Sequence, residues 1–180
     1  MHRRLFLTLF GAGATAPALA RSAPQTQPRP PAQARDGGNP QIDYRGFQQL
    51  TGDVRALRAQ RLLPFDRFAR EAKEAGTLLL DARSETAFRE GHIGGAVNLP
   101  LPDFHAGSLA KTIGADSGRR ILIYCNNNFR NNRRPVPVKA RSLALNIQTF
   151  INLVGYGYSN VWELADVVDF NDPEVGWVRA

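Results

Sequence analysis

A single cysteine, Cys125, stands among the 180 residues of the chain, at the end of the apolar run Ile121-Leu122-Ile123-Tyr124. One cysteine cannot form an intrachain disulfide, and metal sites built on paired cysteines are excluded. Its chemistry is that of a free thiol, which can attack as a nucleophile or carry a group on sulfur. The residues that follow, Asn126, Asn127, Asn128, Phe129 and Arg130, suit a loop whose backbone N–H groups point inward as an anion-binding nest. Asn tolerates the left-handed backbone such a nest needs better than other non-glycine residues. Arg130 adds a permanent positive charge. The expectation is a thiol pKa below that of an ordinary cysteine, with the loop amides holding a negative sulfur or oxyanion. The alternative is a small buried hydrophobe in a polar turn.

The elements that must position this loop are legible around it. Thr77-Leu78-Leu79-Leu80 and Ile121-Leu122-Ile123-Tyr124 are short continuous apolar runs, as in strands covered on both faces of a parallel sheet. Asp81 follows the first and Cys125 the second, and ligands of open α/β sheets gather at the carboxyl ends of strands. Phe47, Leu50, Val54 and Leu57 recur at helical spacing; Phe65, Phe68, Ala69 and Ala72 predict a second helix that ends at Gly76. Ser84 caps a short helix through Phe88, and Ala96 to Leu99 reads as a brief strand. Leu143, Ile147, Phe150, Ile151 and Val154 mark one face of a helix that stops at Gly155, before a strand around Val161. Alternation of strands and helices indicates an α/β layer fold.

Asp81-Ala82-Arg83, Phe88 and the run Gly91-His92-Ile93-Gly94-Gly95-Ala96-Val97-Asn98-Leu99-Pro100 carry a more specific pattern. With the strand ending in Cys125, this pattern resembles the rhodanese family, over roughly Leu62 to Leu164. The resemblance implies a three-layer fold, a parallel sheet flanked by helices. It also implies a six-residue active-site loop from Cys125 to Arg130. In that family the thiolate takes the outer sulfur of a donor such as thiosulfate, becomes a persulfide and passes the sulfur to a nucleophilic acceptor. The resemblance makes Cys125 the nucleophile and the backbone N–H groups of Asn126 to Arg130 the cradle. Asp81, Arg83 and His92 then hold loops together. The implied partners are a small sulfur-containing anion as donor and a thiol or other nucleophile as acceptor; no cofactor and no metal is expected.

The pattern departs from the family in two places. Asn128 occupies a position usually held by glycine, and Asn131 to Lys139 intervenes before the next helix, with Pro135 and Pro137 barring helix interior there. Such an insert can make the helix whose positive end should face Cys125 begin late, near Lys139, or displace it, and it suits a lid or specificity element carrying Arg133, Arg134 and Lys139, with a solvated loop as the alternative. A non-catalytic anion-binding or sensing module is the competing function. A phosphatase of the related type resembles a longer loop, with five residues between Cys and Arg, whereas Cys125 and Arg130 enclose four.

The ends of the chain and its charge bound where it acts. Met1 to Arg4 is basic, Leu5 to Leu19 mostly apolar or small, and Ala18-Leu19-Ala20 a small-x-small cleavage pattern, so residues 1–20 read as a secretory signal. The apolar stretch is too short to anchor in a membrane. Arg3-Arg4 resembles the twin-arginine export signal, which suggests an exported bacterial protein in the periplasm or medium. Residues 21–41 form a Pro- and Gln-rich linker, and residues 42–180 one domain with an N-terminal helical extension. The net charge of +7 comes from scattered Lys and Arg without aromatic interleaving, so no nucleic-acid partner is expected.

Overall fold

The computed structural model describes residues Asn39–Ala180. The expected export signal and most of the expected linker therefore lie outside the described residues. The first helix, α1 (Tyr44–Arg58), is capped by Asp43, whose carboxylate accepts the Gly46 amide at 2.8 Å. Strand β1 (Leu62–Leu63) and helix α2 (Phe65–Glu71) follow. Helix α2 is shorter than its apolar spacing predicts: it ends at Glu71, and turns carry the chain to Gly76, whose φ of +86° favours glycine.

Next come β2 (Leu78–Asp81), α3 (Glu85–Glu90), β3 (His92–Ile93), β4 (Val97–Asn98) and α4 (Ala106–Ile113). Ser84 caps α3 as expected, its hydroxyl accepting the Ala87 amide. The chain continues through β5 (Ile121–Tyr124), α5 (Leu145–Gly155), β6 (Val161–Leu164) and β7 (Trp177–Val178).

Five strands form a parallel sheet in the order β1-β6-β5-β2-β4, with β5 at its centre; β3 and β7 pair antiparallel beside it. Every residue of β2 and β5 is buried, which explains why both strands read as continuous apolar runs rather than alternating ones. Strand alternation sends Leu78, Leu80, Ile121, Ile123 and Val161 to one face, where α1, α4 and α5 pack with Val54, Leu109, Ile113, Phe150 and Leu153. Leu79, Leu122, Tyr124 and Leu164 go to the other, against Phe68 of α2, Ile93 of β3 and Val136 of the insert. The result is the three-layer α/β architecture expected, with helices on both faces of a parallel sheet.

The Gly91-His92-Ile93-Gly94-Gly95 run has a packing reason. A Cβ on Gly91 would come within 2.2 Å of the Trp177 indole, so only glycine lets the C-terminal strand lie over this turn.

Candidate functional site

Cys125 leaves the end of β5 in extended backbone, and Asn126–Asn128 then make one 3-10 turn. That turn is right-handed. Among the described residues the one non-glycine with positive φ is Asn132, outside the loop, so the left-handed Asn nest is corrected. The asparagines act through their side chains instead. Asn128, buried where the family usually has glycine, accepts the Cys125 amide at 2.9 Å and the Asn146 side-chain amide at 3.0 Å on its Oδ1. Its Nδ2 donates to the Leu164 and Asp166 carbonyls. One side chain thus ties β5, β6 and α5 together, and every polar group on it is satisfied.

The donors around the sulfur also differ from expectation. Backbone amides of Asn127 in the loop and of Leu145 and Asn146 in the first turn of α5 act on the thiol to lower its pKa. The amides of Phe129 and Arg130 are engaged elsewhere, by the Asn126 carbonyl at 3.1 Å and the Val168 carbonyl at 2.9 Å. The Asn128 amide donates to the Cys125 carbonyl at 3.0 Å. Phe129 is core, set edge-on against Tyr124 and Trp177. Arg130 turns its guanidinium toward the Val167 carbonyl and an open cleft of ≈ 670 Å³ shared with Asp166, Asp169 and Asp172, a cleft that Cys125 does not line.

The helix that should face Cys125 begins late. After the insert and a short turn at Arg141–Leu143, α5 begins at Leu145, later than Lys139, yet its positive N-terminal end still meets the thiol. Burial nevertheless dominates. Cys125 is 1% exposed, and loss of water pushes its pKa above the ordinary thiol value. The three amides pull it down by less, and the Glu163 carboxylate adds to the rise. The expected lowered pKa is therefore corrected: donors are present, but the sulfur is too dry for them to win.

Asp81, Arg83 and His92 do hold loops, on the face of the sheet opposite Cys125. Arg83 Nε lies 2.9 and 3.0 Å from the two Asp81 oxygens, and Tyr124 donates its hydroxyl to Asp81 at 2.7 Å. Arg83 also donates to the Gly91 carbonyl at 2.8 Å and to the Pro135 carbonyl at 3.3 Å, so the upstream signature is fastened to the insert. His92 stacks on Phe88 with ring centroids 3.7 Å apart and keeps its Nδ1 2.9 Å from the Phe88 carbonyl.

Residues 131–139 lie against the loop. Asn126 donates to the Pro137 carbonyl at 2.9 Å, while Asn127 donates to the Lys139 carbonyl at 2.8 Å and accepts the Lys139 amide at 3.1 Å. Val136 is fully buried among the core side chains. Arg134 pairs with Glu90, and Arg133 lies over the Phe170 ring.

Sequence reasoning missed Asn146, whose side chain braces Asn128, and Glu163, paired with Arg58 beneath the sheet. The signal for the second was a lone carboxylate in Val161-Trp162-Glu163-Leu164, at a position whose alternation points it into the protein.

A lone thiol at the carboxyl end of the central strand of a parallel sheet, met by a helix N-terminus, defines a class of α/β protein with a loop built around one cysteine. The chain belongs to the family of the Rhodanese-like domain, whose model matches residues 65–166. Similar solved structures include the BH2092 protein of Bacillus halodurans, at 16% identity over 67% of this chain and 75% of that one, TM-score 0.45. The Alr3790 protein of Anabaena sp. is 18% identical over 57% and 68%, TM-score 0.40. The Saccharomyces cerevisiae single-domain sulfurtransferase RDL2 is 11% identical over 62% and 86%, TM-score 0.42. No curated protein gives a significant match.

Proposed function

We propose that this protein is a sulfurtransferase or persulfide carrier that moves a sulfane sulfur through Cys125, working outside the cytoplasm after export by the signal at residues 1–20. The family includes sulfurtransferases as well as members without catalytic activity, and its domain suits sulfur-containing anions in general. The observation that carries the reading is the place of the chain's only thiol, buried at the carboxyl end of the central parallel strand where the Asn126–Asn128 turn begins.

Once Cys125 has released its proton, the thiolate attacks the outer sulfur of thiosulfate. The new S–S bond forms as the donor's S–S bond breaks, and sulfite leaves with the electron pair. The terminal sulfur of the resulting persulfide is anionic and needs the same N–H donors that meet the thiol. An acceptor thiolate then attacks that terminal sulfur and returns Cys125 as thiolate, so no external oxidant or reductant is required. Because Cys125 is buried beside the insert, residues 131–139 act as a lid that must lift before donor or acceptor reaches the sulfur.

Intact mass spectrometry after thiosulfate treatment tests the reading. The parent protein gains one sulfur atom and Cys125→Ser gains none; no gain in the parent, or an equal gain in both, overturns it. The high thiol pKa and the burial of Cys125 favour a second reading, a non-catalytic anion-binding or sensing module. Absence of sulfur loading, with anion binding retained, selects it.

A further inference from the structure

The sheet face that carries Cys125 also carries a carboxylate. Strands β5 and β6 run parallel with Ile123 opposite Glu163. Side chains alternate along each strand, so Ile123, Cys125 and Glu163 share a face. Packing fixes that face independently, since Ile121, Ile123 and Val161 join the core beneath α1 and α5 while Tyr124 and Leu164 join the other.

Glu163 is 6% exposed, and a carboxylate so placed is costly without a partner. Its partner comes from outside the sheet. Arg58, in the last turn of α1, approaches it with Nε at 2.6 Å and Nη2 at 2.8 Å, a two-pronged contact that also raises the Arg58 pKa. Helix α1 precedes the family match, so this clamp belongs to the N-terminal extension.

Helix α5 contributes Asn146 and Thr149, the latter's hydroxyl buried and without a hydrogen-bond partner; β1 contributes Leu62; Asp81, Arg83 and Tyr124 lie across the sheet. Arg58 and Glu163 are the charged pair that bears on the sulfur from this side.

We propose that Glu163 is a positioning residue for Cys125, and that α1, through Arg58, sets how strongly its negative charge bears on the thiol. The inference rests on Cys125 being the reacting thiol. A negative charge beside the sulfur opposes both loss of the thiol proton and retention of an anionic persulfide, and a carrier must let its cargo go as well as take it. Arg58 offsets that charge, so seating of α1 makes the site more receptive and its loosening less so. An extension outside the family domain thereby gains control over the reactive atom.

The test is a pH titration of thiolate ultraviolet absorbance on the full chain, with Cys125→Ser subtracted to remove the tyrosine signal and a thermal melt to check each variant's fold. Glu163→Gln lowers the midpoint by roughly 0.5 pH unit or more, and Arg58→Met raises it by a comparable amount. Arg58→Lys stays near the parent, and the double variant follows Glu163→Gln. Two single variants that move the midpoint in the same direction, as simple loosening of the fold would, overturn the proposal, as does no movement in either. Should Glu163→Gln fail to fold, the contrast between Arg58→Met and Arg58→Lys decides alone, because Arg58 is 40% exposed and tolerates replacement. The titration needs no sulfur donor, so a parent that fails to load sulfur overturns the transfer reading, and that failure is distinguishable from a failure of Glu163 and Arg58 to act on the thiol.

Discussion

The Asn128 side chain accepts the backbone amide of Cys125 at 2.9 Å, so the last residue of the 3-10 turn fixes the residue that precedes it. The same oxygen takes the Asn146 amide, which places the first turn of α5 against the sulfur although the insert separates the two in sequence. A side chain thus performs the closure of the turn.

Replacing Asn128 by Ala leaves the Asn146 side-chain amide and the Leu164 and Asp166 carbonyls without this partner in a buried place. Loss of about 2–4 kcal/mol in stability is expected, from several broken buried hydrogen bonds. Urea denaturation measures it, and a loss no larger than that of an exposed Asn→Ala control would contradict the bracing role.

Arg83→Met removes the guanidinium from a buried ion pair and leaves Asp81 with the Tyr124 hydroxyl and one backbone amide. A cost of roughly 3–5 kcal/mol follows from the unpaired buried charge. Arg83→Lys keeps the charge but not the two-pronged geometry, and should also be clearly destabilised. Chemical denaturation of both variants checks the ordering.

Folding stability should fall on the alkaline side of the ordinary thiol and phenol ranges. Burial raises the pKa of Cys125, and burial with the neighbouring Asp81 carboxylate raises that of Tyr124 well above a normal phenol. Over that window the unfolded chain has released protons that the native protein still holds, so each rise in pH favours unfolding. Stability is full below the unfolded values and is lost as pH approaches the folded ones. Cys125→Ala and Tyr124→Phe each flatten the fall in denaturation midpoint with pH; an unchanged slope in both would refute this origin.

Asn127→Ala cuts both hydrogen bonds that hold Lys139 of the insert. At about 1 kcal/mol for each bond, the insert opens roughly ten-fold or more often. Alkylation of Cys125 at fixed pH accelerates accordingly while the melting temperature moves little. Equal rates in parent and variant would show that the insert does not govern access to the sulfur.

The sequence by itself determined the sheet, the strand end that presents the thiol and the upstream turn. These are written in short-range pattern: Leu78-Leu79-Leu80 and Ile121-Leu122-Ile123-Tyr124 are apolar without alternation because both faces are covered. Ser84 announces its helix through capping chemistry that acts over three residues.

What surrounds the sulfur was decided only by tertiary structure. The expected cradle failed at Phe129 and Arg130 because their amides find the Asn126 and Val168 carbonyls, and Val168 is distant in sequence. The lowered thiol pKa failed because desolvation depends on everything packed around Cys125, including an insert whose proline pattern says where helix is barred but not where the chain lies. Arg58 and Glu163 meet across 105 positions of sequence, and no local pattern can announce a partner at that distance. A pattern of neighbouring residues specifies an element and its face; the field and the dryness at one atom are sums over the whole fold.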